Sequence, residues 1–129
     1  MRNLLIIIFS VIYCSAQAQN ADSTWIVNNY IKKEVYIPMR DGIKLFTSIY
    51  IPKDNSEKHP VLMTRTPYSC APYGNEFSPY WYSFDKNYFK EGYIMVTQDV
   101  RGRWMSEGKF EDVRPFNANK KGSEIDEAS

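Results

Sequence analysis

Two short apolar strands, each ending in a conformationally special corner, constrain this chain more than anything else in it. The first is Val61-Leu-Met-Thr-Arg-Thr-Pro-Tyr-Ser69, and the second leads into Gln98-Asp-Val-Arg-Gly-Arg-Trp-Met-Ser-Glu-Gly108. Val61 to Thr66 lacks strict alternation, which suits a strand covered on both faces. Thr66 precedes Pro67, so helix is disfavoured there and the chain stays extended into the Pro-Tyr corner. Tyr93 to Gln98 reads as another buried strand, opening into an Arg/Gly-rich loop. If both strands run parallel in one sheet, both corners lie on its carboxyl edge, where α/β enzymes build their sites.

The elements around these strands complete the pattern. Val35, Ile37 and Met39 alternate, Asp41-Gly42 is a tight-turn signal, and Leu45, Thr47, Ile49 and Ile51 alternate again. This predicts a β-hairpin, roughly 33–39 paired with 43–51. Residues 52–60 form a proline-bounded loop, and 69–79 a second loop rich in Gly, Pro, Ser and aromatics. From Tyr80 to Lys90, Trp81, Phe84 and Tyr88 recur at helical spacing, with Phe89 alongside, and Gly92 is placed to cap the helix. The order is therefore hairpin, strand, helix, strand, and a strand–helix–strand unit implies a parallel pair. No internal repeat or low-complexity tract is present.

The amino terminus lies outside this unit. Met1-Arg2-Asn3 gives a positive start, Leu4 to Tyr13 an apolar run broken only by Ser10, and Ala16-Gln17-Ala18 a small-residue cleavage pattern. We expect a cleaved signal peptide over 1–18, with cleavage after Ala18, and hence an exported protein, periplasmic or secreted. The run is too short for a permanent membrane helix, and bulky Tyr13 argues against lipid modification at Cys14. Residues 19–29 are polar, and 19–32 read as a flexible lead-in from which Trp25 and Ile26 could dock. The chain has 16 Lys+Arg and 15 Asp+Glu, and loss of Arg2 leaves 15 of each. Such neutrality gives no reason to expect nucleic acid or an acidic membrane surface as partner. Cys70 is the one cysteine left after cleavage, so an apolar core rather than a disulfide framework must hold the fold. His59, the single histidine, stands before Pro60 in a polar loop and is a poor base for a Cys70 nucleophile.

Four segments together carry a family resemblance: Pro38-Met-Arg-Asp-Gly-Ile-Lys-Leu, Leu62-Met-Thr-Arg-Thr-Pro-Tyr, Gly92-Tyr-Ile-Met-Val-Thr-Gln-Asp-Val-Arg-Gly and Ser106-Glu-Gly. In this order and at these distances they resemble the amino-terminal part of one α/β-hydrolase group. That group includes α-amino-acid ester hydrolases, bacterial cocaine esterase, glutaryl-cephalosporanate acylases and X-prolyl dipeptidyl peptidases. The likeness covers about residues 33–118. It implies the amino-terminal part of an α/β-hydrolase fold with an incomplete sheet, over 33–129 and ending before the nucleophile elbow. It also implies a serine hydrolase that needs no cofactor or metal, acting on a small-molecule ester or amide or on a peptide.

The resemblance assigns one site residue, Tyr68, whose phenol would donate to the oxyanion of the tetrahedral intermediate. The physics fits, because a fixed donor aimed at developing negative charge is worth roughly 3–4 kcal/mol. Pro67 restricts the backbone just before it. In members of the group the serine, acid and histidine come later in the chain than this region, and no Gly-x-Ser-x-Gly elbow occurs here. Ser106 has a glycine two residues after it but none two before, which fails that pattern. Asp99 and Arg101 read as a structural ion pair or loop anchor, with Gly102 allowing an unusual turn. Trp81, Tyr82, Phe84, Tyr88 and Phe89 could line an acyl pocket, but packing on the sheet is the commoner use of such residues. The sequence ends on Glu-Ile-Asp-Glu-Ala-Ser without a closing element, which is expected of an incomplete piece of a longer protein. Homo-oligomerisation of the intact protein stays open. A reading from another class is a non-catalytic exported binding or subunit-interface domain that uses the aromatic segment 77–93 as its contact surface.

Overall fold

A computed structural model describes residues 23–77 and 86–126. The expected signal segment and the first half of the stretch expected to be an aromatic helix, including Trp81, Tyr82 and Phe84, lie outside the described residues. The described elements are α1 (23–29), β1 (Tyr30–Pro38), β2 (Lys44–Pro52), β3 (Val61–Thr66), α2 (Lys86–Lys90) and β4 (Ile94–Asp99). The strands form one sheet in the order β1-β2-β4-β3.

β1 and β2 are the expected hairpin, antiparallel from Tyr30↔Pro52 to Pro38↔Lys44. Its turn closes through Met39 N–H to Ile43 O at 2.8 Å and Gly42 N–H to Met39 O at 2.9 Å. Gly42 has φ of +84°, a conformation that costs glycine nothing and other residues dearly. The hairpin starts earlier than its alternation suggested. Residues 23–29, within the segment read as a flexible lead-in, are helical, and Tyr30 to Lys32 already belong to β1. The reason is burial: Ile26 and Tyr30 are 1% and 2% exposed, and Lys53 N–H extends the ladder to Asn29 O at 2.8 Å.

β4 lies between β2 and β3, antiparallel to the first (Thr47↔Gln98) and parallel to the second (Met63↔Val96). It is buried nearly throughout. One sheet face carries the core: Tyr30, Tyr50 and Met95 pack with Ile26 and Phe89. The aromatic rings meet edge to face, Tyr30–Phe89 at 4.8 Å and Tyr50–Phe77 at 5.4 Å between centroids. The Tyr30 hydroxyl lies 2.8 Å from Phe89 O and 3.0 Å from Tyr93 O, so it caps the end of α2. Gly92 ends that helix with φ of +78°, as its sequence position suggested, with Tyr93 N–H bonded back to Tyr88 O.

The apolar run of β3 suits a strand covered on both faces, and among the described residues that cover is incomplete: Val61, Leu62 and Met63 are 61%, 36% and 48% exposed. Only β4 pairs with it, so among the described residues it is an edge strand. Register places Ile31, Val35, Val61 and Met63 on the face opposite the Tyr30–Tyr50 core, and all four are more than one-third exposed. Such an apolar face demands cover. We therefore expect residues 19–129 expressed alone to bind a hydrophobic dye and self-associate, and a Val61→Lys/Met63→Lys variant to do so less. A monomeric, dye-silent protein with one sharp melting transition would contradict this.

Candidate active site

The carboxyl ends of β3 and β4 are adjacent because the two strands are parallel. Thr66-Pro67-Tyr68 leaves the first and Asp99-Val100-Arg101-Gly102 the second. Val100 N–H donates to Thr66 O at 3.1 Å, and Tyr68 N–H turns back to Thr66 Oγ1 at 3.0 Å. Tyr68 is 85% exposed, and its phenol makes no hydrogen bond among the described residues. It is therefore not packed under the sheet edge with its hydroxyl consumed by backbone, the ordinary structural use of a tyrosine in such a corner.

Around this exposed phenol the backbone is fixed at several points. Trp104 Nε1–H donates to Pro67 O at 2.9 Å. Asp99, fully buried, accepts from Cys70 N–H at 2.8 Å on one oxygen and from the Tyr73 hydroxyl at 3.1 Å on the other. Ser69 between them holds φ of +92°, a region costly for a residue with a side chain. Its hydroxyl meets Tyr73 Oη at 2.9 Å and accepts from Ala71 N–H at 3.0 Å. Farther along the same loop, Lys32 reaches the carbonyls of Pro72, Gly74 and Glu76 at 2.5, 2.8 and 2.9 Å and pairs with Glu34 at 2.9 Å. The ammonium side chain is only 2% exposed, so it works as an internal clamp.

The β4 loop is fastened as firmly. Arg101 forms a forked pair with Asp41 of the hairpin turn, at 2.7 and 3.2 Å. Partial burial pushes the Asp41 carboxyl up, but the Arg101 guanidinium and the Ile43 N–H outweigh it and leave the group below its usual range. Asp99 and Arg101 thus anchor the loop without pairing with each other. Gly102 is required here, because a Cβ would lie 2.1 Å from Phe110 N. Ser106, whose sequence context fails the nucleophile-elbow pattern, has its hydroxyl committed. It accepts from Phe46 N–H at 2.8 Å and donates to Asp99 O at 2.7 Å. It closes the gap where the β2–β4 ladder ends.

Cys70 and His59 stand at opposite ends of β3, a strand of about 20 Å at ~3.3 Å per residue. His59 Nε2 is engaged with Asp54 O at 2.7 Å. No nucleophile–base dyad is formed by them. Phe89 is in the core and Tyr88 is half exposed against Tyr93, so neither faces the Tyr68 corner as an acyl pocket would require. A cavity of about 200 Å³ opens beside Pro67, lined by Leu45, Arg65, Val100, Arg101 and Arg114 among others. Its guanidinium groups are taken up by Gln98 (2.8 Å), Asp41 and Glu111 (3.0 Å). Among the described residues no group of three or more His, Cys, Asp or Glu could hold a metal ion.

Burial and the neighbouring Asp99 charge push the Cys70 thiol up to about 12. Burial foremost, offset in part by Ser69 and reinforced by Asp99, takes the Tyr73 phenol to about 12 as well. Both groups remain protonated donors beside Asp99. They hold their protons in the folded state at a pH where the unfolded chain, with values of 9.0 and 10.0, releases them. Stability from this source is complete below pH 9 and falls as pH rises toward 12. In the full-length protein the urea midpoint is expected to fall between pH 8 and pH 10.5, and to fall less in Cys70→Ala. Equal drops in both proteins would contradict the account.

Residues 41–126 match the family model described as X-Pro dipeptidyl-peptidase (S15 family). The cocaine esterase of Rhodococcus sp. (strain MB1 Bresler) is 36% identical over 87 residues, 64% of this chain and 14% of that protein. A solved α-amino acid ester hydrolase superposes with a TM-score of 0.61 at 42% identity, over 78% of this chain and 17% of its own. An aminopeptidase from a marine sediment archaeon, Thaumarchaeota archaeon, gives 0.59 at 36%, over 70% and 16%. The chain thus spans about one-seventh to one-sixth of the length of these relatives. The mixed sheet is part of an α/β-hydrolase fold, and the chain belongs to the X-Pro dipeptidyl-peptidase (S15) family of hydrolases.

Proposed function

We propose that this chain forms the oxyanion-donor corner of an exported serine hydrolase that transfers an acyl group from an ester or amide to water. The observation that carries the reading is the Tyr68 phenol: exposed and without a hydrogen bond among the described residues, on a backbone fastened on both sides, at the carboxyl edge of a parallel strand pair. The relatives are named for ester and peptide hydrolysis, and both reactions pass through attack on a carbonyl carbon.

In this scheme a serine hydroxyl attacks the carbonyl, and negative charge develops on its oxygen. The Tyr68 phenol donates to that oxygen, and a backbone N–H beside the nucleophile supplies the second donor. Collapse expels the alcohol or amine, and water then releases the acyl group. Nucleophile, base and acid come from parts of the larger protein beyond this segment. The share of its relatives that the chain spans and the apolar surface left open on β1 and β3 support that view. Cleavage after Ala18 delivers the protein outside the cytoplasm.

The test uses the full-length protein recovered after export, its first residue read as a check for Gln19, with p-nitrophenyl acetate as substrate. Tyr68→Phe removes one hydroxyl and keeps the ring. We expect kcat to fall by about 10²–10³-fold with KM changed only a few-fold, as for loss of a single oxyanion donor. An unchanged kcat would refute the role of Tyr68.

A further inference from the structure

The backbone on either side of Tyr68 is held by partners outside its own corner. The backbone just before it is held at Pro67 O by Trp104, and the backbone just after it at Cys70 N by Asp99. Asp99 is the last residue of β4, and Trp104 belongs to the loop that follows it. The Asp99 carboxylate, 0% exposed, also receives the Tyr73 hydroxyl at 3.1 Å and lies 3.4 Å from Met105 N. Tyr73 in turn meets the hydroxyl of Ser69, the residue whose φ of +92° sets the sharp exit from Tyr68. A residue with a side chain adopts that conformation only where its surroundings over-determine it. Here the surroundings converge on one carboxylate.

We propose that Asp99 is a positioning residue for the reaction: it locks the Ser69–Tyr73 corner and so aims the Tyr68 phenol at the substrate carbonyl oxygen. The inference rests on the donor role of Tyr68 given above. Asp99 touches no reacting atom, and its effect on rate passes entirely through Tyr68. Arg101 holds the loop to Asp41, and Ser106 holds the Asp99 carbonyl, so the carboxylate itself is fixed by β2 and the hairpin. The Tyr68 corner is thereby referenced to the middle of the sheet rather than to its own edge strand.

The experiment is a double-mutant cycle in the full-length protein, read as kcat and KM for p-nitrophenyl acetate. Asp99→Asn keeps the acceptor for Cys70 N–H but turns the other oxygen into a donor facing Tyr73 and Met105. Tyr73→Phe keeps the edge-to-face contact with Phe46 (5.2 Å) and removes only the hydroxyl. We expect kcat to fall about tenfold in Asp99→Asn and several-fold in Tyr73→Phe, with KM nearly constant, as a small misplacement of a catalytic group would give. In a Tyr68→Phe background both effects are expected to vanish. If either substitution lowers kcat by the same factor with and without the Tyr68 hydroxyl, the residues act on general integrity and the proposal is overturned. If Tyr68→Phe alone leaves kcat unchanged, the donor role itself fails and the proposal falls with it. Should Asp99→Asn not fold, Tyr73→Phe alone decides between these outcomes.

Discussion

A buried carboxylate at the end of the central strand is the interaction on which the rest of this segment depends. Burying a charge costs several kcal/mol unless it is richly hydrogen-bonded. Asp99 meets that condition with the Cys70 N–H and the Tyr73 hydroxyl, both from the loop after β3. It thus joins the two loops that leave the carboxyl edge of the parallel pair. The same strand end is tied to β2 through Ser106, and two residues on, Arg101 reaches the Asp41 turn of the hairpin. Hairpin, central strand and edge-strand corner become one rigid piece without a disulfide, since the one described cysteine is free.

Under the proposed acyl-transfer role that rigidity has a functional meaning. An oxyanion donor stabilises the transition state only if it is already aimed before charge appears. A tyrosine at the end of an exposed edge strand would be a poor choice if its corner were supported by that strand alone. Lys32 clamps the far end of the loop, and the β4 loop holds its near end, so the corner is supported from the covered side of the sheet. The opposite face of β1 and β3 carries exposed Ile31, Val35, Val61 and Met63, a surface suited to packing against further secondary structure.

Much of this was legible in the sequence. Alternation on either side of Asp41-Gly42 located the hairpin, and Gly92 marked the helix end. Arg-Thr-Pro-Tyr and Gln-Asp-Val-Arg-Gly together pointed to the hydrolase family, which the comparisons bear out. What was not legible depends on which strands become neighbours. The exposure of β3 follows from its edge position, which its apolar residues could not reveal. Lys32 in the β1 pattern reads as an ordinary outward lysine, and only the path of the 69–77 loop makes it a clamp. Asp99 and Arg101 were expected to anchor the loop, but their separate partners, Cys70 and Asp41, lie 29 and 60 positions away. The helix at 23–29 is not legible in the sequence because its order comes from Ile26 entering the core, a tertiary effect.

The central claim is that Tyr68 faces the oxyanion. Its most direct test is a crystal structure of the full-length protein inactivated by a phosphonate ester, whose tetrahedral phosphonyl group mimics the acylation intermediate. The account expects the Tyr68 hydroxyl about 2.7–3.1 Å from the phosphonyl oxygen, with the Cys70–Asp99 contact intact. A phosphonyl oxygen held by other donors, with Tyr68 beyond hydrogen-bond reach, would contradict it.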